Sequence, residues 1–141
     1  MSVALLENSS GRLSLKADGK LHFLPIESIH CVKGSGNYVE FIVGTNARSL
    51  LVRETLTVVE KALDSSLFIR VHRSFIVNAR LIAEMKRLYT GEYRLTLCTG
   101  ESLTLSRGYK HNLLRFLQSY SGSRSSHIPR LARLLTGPSI A

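Results

Sequence analysis

The chain has 141 residues, of which 19 are lysine or arginine and 10 are aspartate or glutamate, so its formal net charge is +9. This length fits one domain with a short tail, a hydrophobic content of 44% excludes wholesale disorder, and no apolar run reaches the ~18 residues of a membrane span. The composition therefore predicts a cytoplasmic protein without a membrane partner, whose charge favours an anionic partner such as nucleic acid.

The first half of the chain alternates polar and apolar residues, which is typical of β-strands with one buried face. The alternation predicts strands at residues 12–16, 21–24, 29–33, 38–43 and 49–52, separated by glycine-containing turns. A helical period follows, with apolar residues at Val52, Leu56, Val59 and Leu63. The start of this helix is ambiguous, because Thr57 with Glu60 could form a capping box or lie inside the helix.

The second half returns to the period of two and then ends in a helix. Strand-like segments occupy residues 68–77, 81–86, 93–97 and 103–105, and a closing helix spans about 109–117. The expected fold class is mainly antiparallel β, with one short internal helix and one C-terminal helix. Residues 1–11 form an N-terminal lead and residues 12–118 form the domain.

The last residues, 119–141, are rich in serine and glycine and contain no acid, so we expect a flexible basic tail. Its segment 127–135 is basic and amphipathic. Binding to a partner, to a DNA backbone or to a membrane surface is one interpretation, and a frayed chain end is the other.

Positive charge is concentrated in the second half of the domain. Residues 70–115 contain nine lysines and arginines against three acids, which supplies +6 of the total. A solvated face is the simplest interpretation of such an excess. Three short motifs favour an anion-binding surface instead.

The first motif is FIRVHRSFIVN at residues 68–78. His72, Arg73 and Ser74 cannot all be buried cheaply, so we expect them in an exposed loop where the chain leaves the sheet. Arg73 offers a planar fork that suits a guanine edge or a phosphate, and Ser74 offers a hydroxyl to a phosphate. The alternative is a surface turn in which His72 stabilises a bend by hydrogen bonding.

The second motif, GSGNYVEF at residues 34–41, combines two glycines that allow close backbone approach with Asn37, which can bind a base edge. A plain hairpin is the alternative. In the third motif, LTLSRGYK at residues 103–110, Ser106 and Arg107 leave a strand just before a helix. There an arginine and the helix N-terminal amides can hold an anion, or Ser106 can cap the helix.

Together these segments resemble the LytTR-type DNA-binding domain, the output domain of many bacterial response regulators. The resemblance rests on GNYV at residues 36–39, the helix ending in Leu63, the HRS-x-IVN element and the later SR-x-Y element, and it covers about residues 12–117. The chain departs from the family pattern at Thr99, where an acid usually precedes the glycine. Too few residues precede Arg12 for the usual receiver domain, so we expect a standalone regulator.

The resemblance implies an elongated β–β–β protein that binds double-stranded promoter DNA and inserts loops into successive major grooves. It assigns base contacts to Asn37, Arg73 and Arg107. The residues expected near the DNA backbone are Lys33, Tyr38, Arg70, His72, Ser74, Ser106 and Lys110. Two copies on direct repeats about one helical turn apart are expected, and an unidentified input or partner protein is compatible with this picture.

Two other classes of function remain as alternatives. A small RNA-binding β module or a non-catalytic interaction domain would fit the fold, although the aromatic residues Tyr38, Phe41 and Tyr89 show no stacking pattern. An enzyme is not expected, because the histidines lack metal spacing and no nucleophile or phosphate-loop motif occurs. The two cysteines, Cys31 and Cys98, are too few and too far apart for a disulfide framework or a cysteine zinc site. No cofactor or metal is predicted.

Overall fold

The computed structural model describes residues 5–6 and 11–119, and most of these belong to antiparallel β-strands. Two α-helices, α1 and α2, complete the secondary structure, with single 3₁₀ turns before the fourth and ninth strands and before α2. The predicted mainly β fold with one internal and one C-terminal helix is confirmed. The elements are β1 (Leu5–Leu6), β2 (Arg12–Ala17), β3 (Lys20–Pro25), β4 (Ile29–Ser35), β5 (Tyr38–Val43), β6 (Arg48–Val52), α1 (Leu56–Ala62), β7 (Phe68–His72), β8 (Phe75–Asn78), β9 (Ile82–Arg87), β10 (Tyr93–Leu97), β11 (Ser102–Leu105) and α2 (Lys110–Ser119).

The strands form three sheets, of which the central one has the order β6-β5-β4-β8-β7. The other two are three-stranded, with the orders β1-β2-β3 and β11-β10-β9. The short strand β1 lies in the expected N-terminal lead and was not predicted. It pairs with β2, the first strand of the expected domain. Ser119 still belongs to α2, and the rest of the predicted tail lies outside the described residues.

Both faces of the central sheet are buried at its inner strands β4 and β8, because successive residues of these strands point into two different cores, whereas Leu51 of the edge strand β6 is exposed. Cys31 and Val77 pack with β9, β10, β11 and α2, whereas their neighbours Val32 and Ile76 pack with the β2–β3 hairpin and α1. A sheet covered on both sides gives its hairpin ends a rigid base. The predicted DNA contacts of the first and second motifs lie at these hairpin ends.

Two local predictions are corrected by the structure. The segment 68–77 is not one strand but a hairpin, since β7 ends at His72 and β8 begins at Phe75. The polar residues cause this turn, because they cannot enter either core. At α1 the capping box is wrong and the internal position of Thr57 is right: the cap is Thr55, whose hydroxyl accepts a 3.3 Å hydrogen bond from the Val58 amide.

Two polar contacts join residues distant in the chain: the first connects two sheets, and the second lies within the central sheet. His30 Nδ1 lies 2.8 Å from Glu101 Oε2 and connects β4 to the turn between β10 and β11. Burial would raise the pKa of Glu101, but hydrogen bonds from His30 and Thr99 hold it below its ordinary value. Asn78 donates to the Ile29 carbonyl (3.0 Å) and accepts from the Arg80 amide (3.1 Å), so both ends of its buried amide are paired.

Candidate nucleic-acid interface

The first and second sequence motifs meet at one end of the central sheet. The turn between β4 and β5 is tip one (residues 36–37), and the turn between β7 and β8 is tip two (residues 73–74). Because β4 pairs antiparallel with β8, with Lys33 opposite Phe75, the end of β4 lies beside the start of β8. The Gly34 amide, in β4 at the base of tip one, donates to the Ser74 carbonyl of tip two at 2.8 Å.

The third motif lies on the other side of tip two. This segment is tip three (residues 106–109), which follows β11 and leads into α2. The Ser106 amide donates to the Val71 carbonyl at 2.9 Å, and Asn112 of α2 donates to the Arg70 carbonyl at 3.0 Å. The structure therefore places the segments that carry Asn37, Arg73 and Arg107 side by side, with tip two in the middle.

Tip one is narrow because Gly36 adopts a left-handed conformation with φ of +63°. β4 runs on to Ser35, so the expected glycine-rich break is reduced to residues 36–37. Asn37 at the apex is exposed, and Tyr38 beside it retains 46% of its accessible surface. Lys33 is half-buried at the base of this hairpin. The amide group that could bind a base edge is thus presented outward.

Arg70, predicted as a phosphate contact, points into the protein and holds tip two from within. Its side chain is 12% exposed and forms an ion pair with Glu60 at 3.0 Å. The same guanidinium donates to the carbonyls of His72 and Arg73. Its carbon Cζ also lies 6.0 Å from the centre of the Tyr109 ring. Most of its donors are therefore occupied by the protein itself.

His72 stabilises the bend of tip two. The Ser74 amide donates to His72 Nδ1 at 3.0 Å, so the neutral ring carries its proton on Nε2. The His72 and Phe75 rings are also in contact, with centroids 4.6 Å apart. This arrangement matches the alternative in which His72 organises the turn, and it leaves Arg73 exposed at the apex.

Tip three presents Arg107 to solvent at the start of its 3₁₀ turn. The Ser106 hydroxyl does not cap this turn; the Ser106 carbonyl accepts from the Tyr109 amide at 3.0 Å instead. Lys110 Nζ lies 5.9 Å from the centre of the Tyr93 ring. Within residues 5–6 and 11–119, neither Arg73 nor Arg107 has a carboxylate partner, so both charges are available to an anion.

Other kinds of site find little support in the described part of the chain. Its histidines, cysteines and acids form no group of three that could hold a metal ion. A cavity of about 290 Å³ lies between β7 and α2, and Arg70 and Asn112 are among the residues that line it. Burial raises the pKa of Cys31 to about 12, which makes that thiol unreactive. Among the described helices none is long and apolar enough to cross a membrane.

Comparison with known proteins identifies a family and several relatives. The family model described as the LytTr DNA-binding domain matches residues 19–118. The sensory transduction protein LytT of Bacillus subtilis is 41% identical over 75 residues, which are 53% of this chain and 31% of that protein. The transcriptional regulatory protein LytR of Staphylococcus aureus (strain N315) is 30% identical over 102 residues, which are 72% of this chain and 41% of that protein.

The fold has a solved counterpart as well. A LytTr DNA-binding domain from Bacillus cereus superposes with a TM-score of 0.66 at 21% sequence identity. The match covers 77% of this chain and 98% of that one. The aligned part of this chain spans less than half the length of the LytT and LytR relatives.

Proposed function

Because the chain belongs to the LytTr DNA-binding domain family, a family of transcription regulators, we propose that it reads specific promoter sequences by inserting its tips into successive major grooves. The observation that carries this proposal is the pair of backbone hydrogen bonds, Gly34 to Ser74 and Ser106 to Val71, that hold the three tips in a row. A row of rigid tips can follow one face of a duplex without a recognition helix.

Base reading is assigned to the side chains at the three apices. The Asn37 amide can donate and accept at once, which suits an adenine edge, and the forks of Arg73 and Arg107 suit guanine. All three residues are exposed. Each bidentate contact discriminates against a wrong base by about 1–3 kcal/mol.

The neighbouring polar residues bind the DNA backbone and set the affinity rather than the sequence preference. Those in this role are Lys33, Tyr38, His72, Ser74, Ser106 and Lys110. Arg70 takes a different role from the one expected: it is a positioning residue, because its ion pair with Glu60 and its bonds to tip two leave it little capacity for a phosphate.

The binding unit is proposed to be two copies on direct repeats about one helical turn apart, in a cytoplasmic setting and without a cofactor. The longer relatives include a sensory transduction protein, and an input or partner protein for this chain remains part of the proposal. We propose no catalytic role.

The proposal is tested by selecting duplexes from a random pool and measuring variants on the selected site and on random duplex. Arg73→Ala and Arg107→Ala should each weaken binding to the selected site by about 5- to 150-fold, the equivalent of 1–3 kcal/mol, and binding to random duplex far less. Arg48→Ala is the matched control, because Arg48 is exposed and pairs with Val43 at the opposite end of β5 from tip one.

Lys110→Ala should lower the affinity for both duplexes and reduce the salt slope by about 0.9. Equal losses of Arg107→Ala on the selected and the random duplex would overturn base reading by tip three. If single-stranded RNA displaced the duplex at lower concentration than DNA competitors, the RNA-binding alternative would replace this proposal.

A further inference from the structure

A fourth hairpin end lies beside Arg107, and neither the sequence motifs nor the predicted contacts include it. The turn between β9 and β10 is tip four (residues 88–92). It is closed by hydrogen bonds from the Leu88 amide to the Glu92 carbonyl (2.8 Å) and from the Gly91 amide to the Leu88 carbonyl (3.0 Å). Tyr89 stands at the apex of this turn, and its side chain is fully exposed.

Tip four packs against the side chain of Arg107. Gly91 has a left-handed φ of +92°, and a Cβ atom at this position would lie 3.0 Å from Arg107 Cδ and 3.8 Å from Nε. The glycine thus allows the turn to approach the stem of the arginine more closely than another residue would. Tip four therefore extends the row: the base of tip one bonds to tip two, tip three bonds to β7 beside tip two, and tip four lies against the Arg107 side chain of tip three.

Unpaired positive charge surrounds the base of tip four. In β9 and β10, Lys86 lies directly opposite Arg94, on the outer face of the sheet, and the neighbouring Arg87 is also exposed. Among the described residues these three side chains have neither a carboxylate nor a hydrogen-bond partner. Like charges directly opposite each other on two strands destabilise a sheet. A bound anion would relieve that repulsion.

Among the described residues, neither of the acids near this cluster forms an ion pair with it. Glu92 lies within tip four, where its carboxylate accepts from the Thr90 hydroxyl at 3.4 Å. Glu84 pairs with Thr96 and precedes Lys86 by two residues in β9, so it lies farther from tip four than Lys86 does. The apex itself therefore presents an aromatic hydroxyl with cations behind it, which is the combination that binds a phosphate backbone.

We propose that tip four is a further DNA contact, in which Tyr89 and Arg87 bind the sugar-phosphate backbone beside the groove that Arg107 enters. This inference rests on the proposed function, because it uses the placement of Arg107 at the DNA. The Tyr89 hydroxyl donates to a phosphate oxygen, and the Arg87 fork binds the same or the adjacent phosphate. Lys86 and Arg94 add long-range attraction. Tip four adds affinity without sequence preference.

The test uses the full chain on the duplex selected above and on random duplex. Arg87→Ala should weaken binding by about tenfold on both duplexes, since a hydrogen bond to a charged group contributes about 1.5 kcal/mol or more. It should also reduce the salt slope by about 0.9. Tyr89→Ala should weaken both affinities without changing the slope, and Tyr89→Phe should reproduce the part of the loss that belongs to the hydroxyl.

Arg48→Ala again serves as the control, and phosphate ethylation interference gives a second readout. Ethylation of a phosphate at tip four should block binding of the wild-type protein but no longer block binding of Arg87→Ala. Ethylation of a phosphate near tip one should block binding of both proteins. Both side chains are exposed, so unchanged urea unfolding is expected and excludes misfolding as the cause.

The two proposals fail differently. Site-specific binding by the wild-type protein, together with unchanged affinity and slope for Arg87→Ala and Tyr89→Ala, would overturn the contact at tip four and leave the proposed function intact. Absence of any site-specific binding by the wild-type protein would overturn both.

Discussion

The position of Arg70 leads to a prediction about how tip two is held. Arg70→Lys keeps the positive charge but removes the fork that binds the carbonyls of His72 and Arg73 while pairing with Glu60. A lysine can replace at most one of these bonds, because one ammonium group cannot reach three separated acceptors. Arg70→Lys therefore loses two hydrogen bonds from a charged donor. At this partly open site each bond contributes near the lower end of the usual range, so the variant should lose about 2–3 kcal/mol of stability.

Urea unfolding measures that loss. With a slope of about 2 kcal/mol per molar, the unfolding midpoint of Arg70→Lys should fall by about 1–1.5 M relative to the wild-type protein. Arg48→Lys is the matched control and should leave the midpoint unchanged, because Arg48 is an exposed residue at the distal end of the sheet. An unchanged midpoint for Arg70→Lys would show that its hydrogen bonds do not stabilise tip two.

A double-mutant cycle separates positioning from direct contact. If Arg70 acts through tip two, Arg70→Lys should weaken binding to the selected duplex in the wild-type background but have little further effect once Arg73→Ala is present. If Arg70 bound a phosphate itself, lysine would substitute as a point charge and any losses would add. Additive losses would therefore refute the positioning role.

Two further predictions concern the polar contacts of Glu101 and Asn78. The pKa of Glu101 is held below its ordinary value of 4.5, so the ionised carboxylate stabilises the fold above that pH, and this contribution is lost as the pH falls through the lowered pKa. The difference in urea midpoint between wild type and Glu101→Gln should accordingly shrink from pH 7 to pH 3; a difference independent of pH would contradict the lowered pKa. Asn78→Ala should cost about 2–3 kcal/mol by thermal unfolding, because it leaves the Ile29 carbonyl without its side-chain donor and the Arg80 amide without its acceptor. Asn46→Ala, in an exposed turn, should cost little, and similar losses for the two variants would rule out the buried amide as the cause.

The secondary structure and the turns at the ends of the hairpins could be predicted from the sequence, because both depend on residues that are neighbours in the chain. Alternation of polar and apolar side chains is a local property of a strand, and it predicted most of the strands of the domain. His72, Arg73 and Ser74 were expected in an exposed turn since three adjacent polar groups cannot be buried cheaply. The hairpin end at residues 73–74 agrees with the turn, but only Arg73 is exposed, whereas His72 ends β7 and both His72 and Ser74 are half-buried. Their roles as DNA contacts came from the family resemblance and stay predictions.

Contacts between residues distant in the chain were decided only by the tertiary structure. The sequence presents Arg70 as one more cation in a basic segment, whereas its partners Glu60 and Tyr109 lie ten residues before it and thirty-nine after it. In the same way, no local pattern places Gly91 against Arg107, because that contact depends on how β9, β10 and β11 align. Local periodicity determines which residues face outward, but the pairing of strands determines which outward residues become neighbours, and here it converts separate motifs into one row of tips.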